Sequence, residues 1–387
     1  MIPVALKNEI ALRDKNISAK LKEAGIDAIL ISTNTNIYYS TGRVFGGYVY
    51  VTSDGNVSYF VKRPAGFEGE NVFYIRKPEQ IVDFLEHLPA KLALELDSIT
   101  FNEAERLKNA FKDSEIVDGS PVLNAARAVK TAFEIAKIRE CGIHHDMTYS
   151  RIPKLYREGM TDKELQIELE RQLRLDGCLG LFRIHGQSME IFMGNLISGE
   201  NADIPSPYDF TMGGAGLDES LPIGCNGTTI LPGTTVMVDM NGNFNGYMTD
   251  MSRVFYVGHL DDKARKAHEL SIAIHHRLVK DAHSGVPAKE LYDIALEMVK
   301  EAGFEEFFMG HNQKAGYVGH GLGIEVNELP ILSPRSKDIL QEGNVIAIEP
   351  KFVIPHIGAV GIENTYVVKA DRLERITNFP EELVELY

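Results

Sequence analysis

The chain has 387 residues, of which 44% are apolar and 25% charged, and forty basic against fifty-five acidic side chains leave a formal charge of -15. This length supports two or three domains whose cores fold without a disulfide or a structural metal, and the composition excludes global disorder. The acidic excess argues against nucleic acid as a partner, and no apolar run approaches the roughly 18 residues of a membrane span. Three scattered cysteines, Cys141, Cys178 and Cys225, read as reduced thiols, not as a secreted disulfide framework. The N-terminus meets charge at Lys7 before an apolar signal core can form, so a cytoplasmic protein is expected.

In chain order, a surface helix is predicted over 13–24 with a stop at Gly25. IDAILI (26–31) is a short apolar strand, and the polar STNTNIYYSTG after it a loop. YVYVTSDGNVSYFV predicts a hairpin about Asp54-Gly55, KLALELD (91–97) another strand, and the capping-box spacing of Thr100 and Glu103 a helix to Phe111. A seam at GSPVLNAA separates this small α/β domain, residues 1–125, from a second domain, 126–387.

The second domain opens with a helical pattern over 126–158, one helix or two abutting. Thr161 and Glu164 open a further helix ending near Asp176-Gly177. Helices are also predicted over 261–281 and 288–302, the last stopped by Gly303. TTVMVDM, GYMTDMSRVFYV, NVIAIEPKFVI and AVGIENTYVV are strand-like, so the fold class is α+β with a mainly antiparallel sheet.

The chemistry concentrates in those strands. Folding TVMVDMNGNFNGYMTDMSRVF about residues 244 and 245 brings Asp239 and Asp250 roughly opposite one another, with Val236 and Val238 on the other face. Inward carboxylates beside apolar neighbours need a cation or strong donors, although a solvated hairpin whose aspartates discourage aggregation would read the same. Downstream, VGHGLGIEVNELP sets His320 among glycines, NVIAIEPKF sets Glu349 after an apolar strand, and AVGIENTYVV embeds Glu363 in another. Two divalent ions about 3.5–4 Å apart could share Asp250 and Glu363 as bridges, with Asp239, His320 and Glu349 as terminal ligands. This oxygen-rich set with one imidazole suits manganese, cobalt, iron or zinc.

Taken together, VMVDMNGNFNGYMTDMSRVF, GHGLGIEVNELP, IAIEP and GIENT resemble the ordered motifs of the creatinase/prolidase/Xaa-Pro aminopeptidase superfamily of pita-bread metallopeptidases. The resemblance covers 126–387, and a creatinase-like domain ahead of it points to the prolidase and proline-aminopeptidase branch. It implies a homodimer with two divalent ions, manganese or cobalt first. The implied reaction is hydrolysis of Xaa-Pro dipeptides or short peptides by a metal-bridging water. Glu349 would handle that water's proton. The alternatives are creatinase-like hydrolysis of a small non-peptide amide or amidine, and a catalytically silent metal-binding protein.

Three positions depart from the family pattern beside the chemistry. Ile223 in SLPIGCNG and Asn327 in VNELP stand where histidines are usual, and Gly361 stands where arginine is common. Asn327 can still donate a hydrogen bond and is kept as a catalytic candidate. So is His356, between Glu349 and Glu363, for a substrate-facing role. His185 and His311 are weaker candidates of the same kind, and Tyr208 and Phe210 could wall a pocket for a proline ring. Cys225 has no identifiable base partner, and His144-His145 point apart on a helix.

Overall fold

The computed structural model of the chain describes residues 4–186 and 191–387. They form two compact units, Met1–Arg127 and Ala128–Tyr387.

The first unit is built on a six-stranded mixed sheet in the order β4-β3-β2-β1-β5-β6. Its strands are β1 (Ala28–Ile31), β2 (Gly46–Thr52), β3 (Val57–Arg63), β4 (Val72–Tyr74), β5 (Lys91–Leu94) and β6 (Glu115–Asp118). Helices α1 (Val4–Glu23), α2 (Asn34–Thr41), α3 (Phe101–Ala110) and α4 (Ser120–Ala128) accompany it. The Asp54-Gly55 hairpin joins β2 to β3, with Gly55 at φ +98°. Helix α1 starts well before the predicted residue 13 and ends ahead of Gly25, at φ +65°.

Helix α2 occupies a stretch predicted to be a loop. Its N-cap Thr33 accepts from the Asn36 N–H, and the buried Glu95 carboxylate accepts from Ser32, Thr33 and Asn36. Glu95 lies some sixty residues downstream, so local propensity misses the anchor.

The second unit carries α5 (Ala132–Tyr149), α6 (Ile152–Leu155), α7 (Asp162–Leu175), α8 (Asp262–Asp281) and α9 (Ala288–Ala302). The predicted helical run 126–158 is therefore cut twice, and Thr131 with Glu134 makes a capping box that restarts it as α5. The box predicted at Thr161 and Glu164 opens α7.

A four-stranded sheet, order β17-β9-β8-β7, uses β7 (Gly194–Ser198), β8 (Thr235–Asn243), β9 (Met248–Val257) and β17 (Val384–Leu386). A five-stranded sheet, order β11-β10-β12-β15-β16, uses β10 (Gly319–Gly321), β11 (Glu328–Ile331), β12 (Val345–Ile348), β15 (Asn364–Val368) and β16 (Leu373–Arg375). Between them β13 (Lys351–Ile354) and β14 (Gly358–Gly361) form a two-stranded pair. Period-two alternation on β8 sends Met237 into the core under α8 and α9, and Val236 and Val238 into the core under α7.

Two sequence runs predicted as single strands each break at a glutamate. NVIAIEPKFVI leaves the five-stranded sheet at Glu349-Pro350, where proline cannot donate to a ladder, and becomes β13. AVGIENTYVV makes the reverse change at Ile362-Glu363, from β14 to β15. The two crossings are coupled, because Lys351 pairs with Gly361 across β13 and β14. Gly361 has φ +132°, and a Cβ there would lie 2.7 Å from the Pro350 carbonyl oxygen and 2.9 Å from Lys351 Cα. Gly361→Ala is therefore expected to destabilise the second unit by about 1–3 kcal/mol, read as a lower urea midpoint for its unfolding.

Candidate metal centre

The β8–β9 register pairs Asp239 with Ser252 and Asn241 with Asp250. The two aspartates are thus diagonal neighbours on one face, shifted from the directly opposed pair expected of a turn at 244 and 245. Thr365 fixes the second: its hydroxyl accepts from the Asp250 N–H at 2.9 Å and donates to the Asp250 carbonyl at 2.8 Å. His320 lies on β10 opposite Ala347, and its Nδ1 sits 3.1 Å from the Gly321 carbonyl. That contact turns Nε2 towards the carboxylates, 3.2 Å from Glu349 Oε1 and 4.0 Å from Asp250 Oδ2.

Glu363 is held by its main chain and its side chain. Its N–H donates to the Ser252 carbonyl, and its Oε2 accepts from Ser252 Oγ at 2.7 Å. The fully buried Arg253 guanidinium donates to the carbonyls of Ser252 and Glu363, both at 2.7 Å, and to Asn364 Oδ1. This clamp sets the backbone from which Glu363 projects. Its other oxygen, Oε1, is buried with no hydrogen-bond partner among the described residues.

Lys351 stands inside the cluster and was not anticipated. Its Nζ donates to Asp239 Oδ2 at 2.9 Å, Glu349 Oε2 at 2.8 Å and Glu363 Oε2 at 3.0 Å, and the side chain is 1% exposed. All three ammonium donors are thereby placed on carboxylates. The signal was present in IEPKF, because a lysine in an apolar strand must be paired.

The five expected residues are thus gathered into one cluster, with Asp250, Glu349 and Glu363 buried and Asp239 and His320 part-exposed. Burial raises the Asp250 carboxyl, with Asp239 adding to it and His320 and Lys351 opposing. Burial also favours a neutral Glu349, but Lys351 and His320 outweigh it and hold that carboxyl low. Burial, then Asp250 and Glu349, push Glu363 well up. For His320 burial works against the proton, yet Glu349 and Asp250 prevail and carry it to about 9. The cluster is short of positive charge.

The fit to metal is uneven. One ligand atom from each of Asp250, His320 and Glu363 lies within 4.8 Å of the others, a grouping able to hold an ion, and Glu363 Oε1 has nothing else to meet. On the other side, Lys351 already takes an oxygen of Asp239, Glu349 and Glu363. The expected bridged pair of ions does not fit while the ammonium is there.

Other candidates fall elsewhere. His356, expected to return towards the cleft, occupies an exposed turn between β13 and β14 at φ +67°, with its side chain 84% exposed and paired with Glu200. The short hairpin carries it outwards, which corrects that expectation. Asn327 clamps the His185 backbone: its Nδ2 donates to the carbonyl at 2.8 Å and its Oδ1 accepts from the N–H at 2.7 Å. His311 pairs with Asp203 at 2.8 Å and stacks on Phe307. The rings of Tyr208 and Phe210 lie 6.2 Å apart and partly buried. Ile223 and Cys225 line an apolar cavity of about 150 Å³ with Phe192, Leu217 and Leu221, and burial pushes the Cys225 thiol up to about 12, far from a nucleophile's range. His145 is buried against Thr249, and burial lowers it to about 3. Tyr317, also not anticipated, meets His320 edge-on at 5.9 Å.

The chain matches two family models. The model for metallopeptidase family M24 matches residues 136–370, and that for the creatinase/prolidase N-terminal domain matches 13–129. An Xaa-Pro dipeptidase of Pyrococcus horikoshii is 28% identical over 386 residues, covering 98% of each chain. A putative dipeptidase of Bacillus subtilis is 28% identical over 97% of this chain and 99% of its own. The crystal structure of the prolidase from Pyrococcus horikoshii superposes with a TM-score of 0.77 at 25% identity, covering 96% of this chain and 99% of that one. No described helix is long and apolar enough to cross a membrane.

Because His356 lies outside the cluster, His356→Ala should leave kcat/KM on any substrate within about twofold of the parent, as for an ordinary surface change. A tenfold loss in steady-state assays would return it to the site.

Proposed function

We propose that this chain, which belongs to metallopeptidase family M24, hydrolyses short Xaa-Pro peptides, dipeptides foremost, in a metal-dependent reaction at the cluster around Glu349 and Glu363. The observation that carries this is the convergence of Asp239, Asp250, His320, Glu349 and Glu363 in one largely buried cluster. The chain that holds it matches an Xaa-Pro dipeptidase over almost its whole length.

Divalent metal, manganese or cobalt before zinc or iron, would be held by Asp250, His320 and Glu363, and when bound it supplies Lewis-acid polarisation and an acidified water. The chain's own groups do the rest. Glu349 Oε2 is engaged by Lys351, so Oε1 is the oxygen left to take a proton from water and pass it to the leaving nitrogen. His320 Nε2 now faces that oxygen; as a metal ligand it would have given up its proton and would leave Oε1 free for this work. Ser252 and Arg253 hold Glu363 in place throughout. Asn327 and His356 have no part in the step.

Purified protein loaded with manganese, cobalt or zinc is expected to cleave Xaa-Pro dipeptides faster than the matching tripeptides. Glu349→Gln should lower turnover by roughly 10²–10⁴-fold, the usual worth of a general base. No cleavage by any metallated preparation would overturn the assignment, and turnover of a small amidine without peptide cleavage would replace it. The proposal includes a cytoplasmic homodimer, and a single-chain mass by light scattering under assay conditions would contradict the dimer.

A further inference from the structure

A bridging carboxylate in a two-ion centre offers one oxygen to each ion. Glu363 is divided in the same way between unlike surroundings. Its Oε2 is saturated, by Ser252 Oγ at 2.7 Å and Lys351 Nζ at 3.0 Å. Its Oε1 is buried and has no partner among the described residues, although the side chain is only 1% exposed. A buried carboxyl oxygen without a partner is costly, and one on a carboxyl group that lies within ligand distance of Asp250 and His320 points to a cation. His320 faces the same cluster through Nε2, with Nδ1 tied to the Gly321 carbonyl, the usual way a ligating imidazole is oriented.

The other half is filled from within the chain. Lys351 is not a surface side chain that happens to reach inwards. Its N–H lies against Met309 Sδ, its carbonyl accepts from the Met309 N–H at 2.9 Å, and Gly361 opposite it lets the two backbones approach. The Pro350 carbonyl just before it accepts from Ser271 Oγ, and Ser271 also accepts from the Ile362 N–H at 3.0 Å. The strand that delivers the ammonium is thus held from both sides. An ammonium at hydrogen-bond distance from Asp239, Glu349 and Glu363 cannot share those oxygens with a dication without placing like charges in contact.

We infer that this is a one-ion centre in which the Lys351 ammonium replaces a second metal: Asp250, His320 and Glu363 Oε1 hold a single divalent ion, and Lys351 joins Asp239, Glu349 and Glu363 Oε2. It rests on the metal-binding part of the function proposed above and not on the peptide substrate. Lys351 is a positioning and charge-balancing residue, and Gly361 is the backbone condition for it. With four carboxylates facing one dication and one ammonium, the centre keeps one negative charge that two dications would cancel.

The test is the metal content of the full chain after saturation with manganese and desalting, read with electron paramagnetic resonance. The parent protein should hold about one ion per chain and show the hyperfine pattern of an isolated Mn(II). Lys351→Ala should rise to about two ions per chain with the spectrum of an exchange-coupled pair. The parent spectrum needs no variant to fold, and Lys351→Met, which keeps most of the stem's volume, serves where the alanine variant does not. Two coupled ions in the parent, no ion in the parent, or a folded Lys351→Ala still limited to one ion would each overturn the inference. A parent protein that holds one ion but cleaves no Xaa-Pro peptide would uphold it while removing the peptidase assignment.

Discussion

The second unit depends on one buried ammonium. Lys351 is bonded to carboxylates from three separate pieces of chain: Asp239 on β8, Glu349 at the end of β12, and Glu363 between β14 and β15. Breaking a buried ion pair by removing one partner costs about 3–5 kcal/mol, because the charge left behind stays unsolvated. Here three carboxylates, Asp239 among them part-exposed, would lose a shared donor, so the lysine stabilises the meeting of the strands that carry them unless another cation takes its place. The interaction is therefore structural before it is chemical.

Around it, the backbone is arranged to change sheets at the reactive residues. Glu349 and Glu363 both sit where a strand leaves one sheet for another, the positions at which a side chain can turn into the space between sheets. Pro350 ends one ladder, Gly361 allows the neighbouring strand to approach, and Arg253 binds the Glu363 carbonyl at the second crossing together with the Ser252 carbonyl on β9. Thr365 and Ser252 then fix Asp250 and Glu363 individually. The precision comes from hydrogen bonds to backbone, which do not depend on a bound ion.

Much of this was legible beforehand, and the failures have physical causes. The hairpin at Asp54-Gly55, the N-cap at Thr100, the capping box at Thr161 and the stop at Gly303 are local signals, and they appear where expected. Helix α2 was missed because its anchor, Glu95, is distant in sequence. The strand runs through Glu349 and Glu363 read as continuous because periodicity does not reveal which sheet a strand joins. The five acidic and histidine candidates come together in the structure, and Lys351, which was not among them, joins them. A lysine in an apolar strand has no motif, only the physical demand that its charge be met. His356 illustrates the reverse error, since closeness in sequence to two clustered glutamates did not bring it near them.

Departures at Ile223, Asn327 and Gly361 now separate into different kinds. Gly361 belongs to the backbone that seats Lys351, Asn327 secures the His185 segment, and Ile223 lines an apolar cavity. The claim that joins these observations is that one cation position is occupied by the protein's own ammonium. A crystal structure of the manganese-loaded protein, with anomalous scattering recorded at the metal edge, addresses it most directly. The account predicts a single anomalous peak among Asp250, His320 and Glu363, with Lys351 Nζ still on Asp239. Two peaks about 3.5–4 Å apart, with Lys351 turned away from the carboxylates, would contradict it.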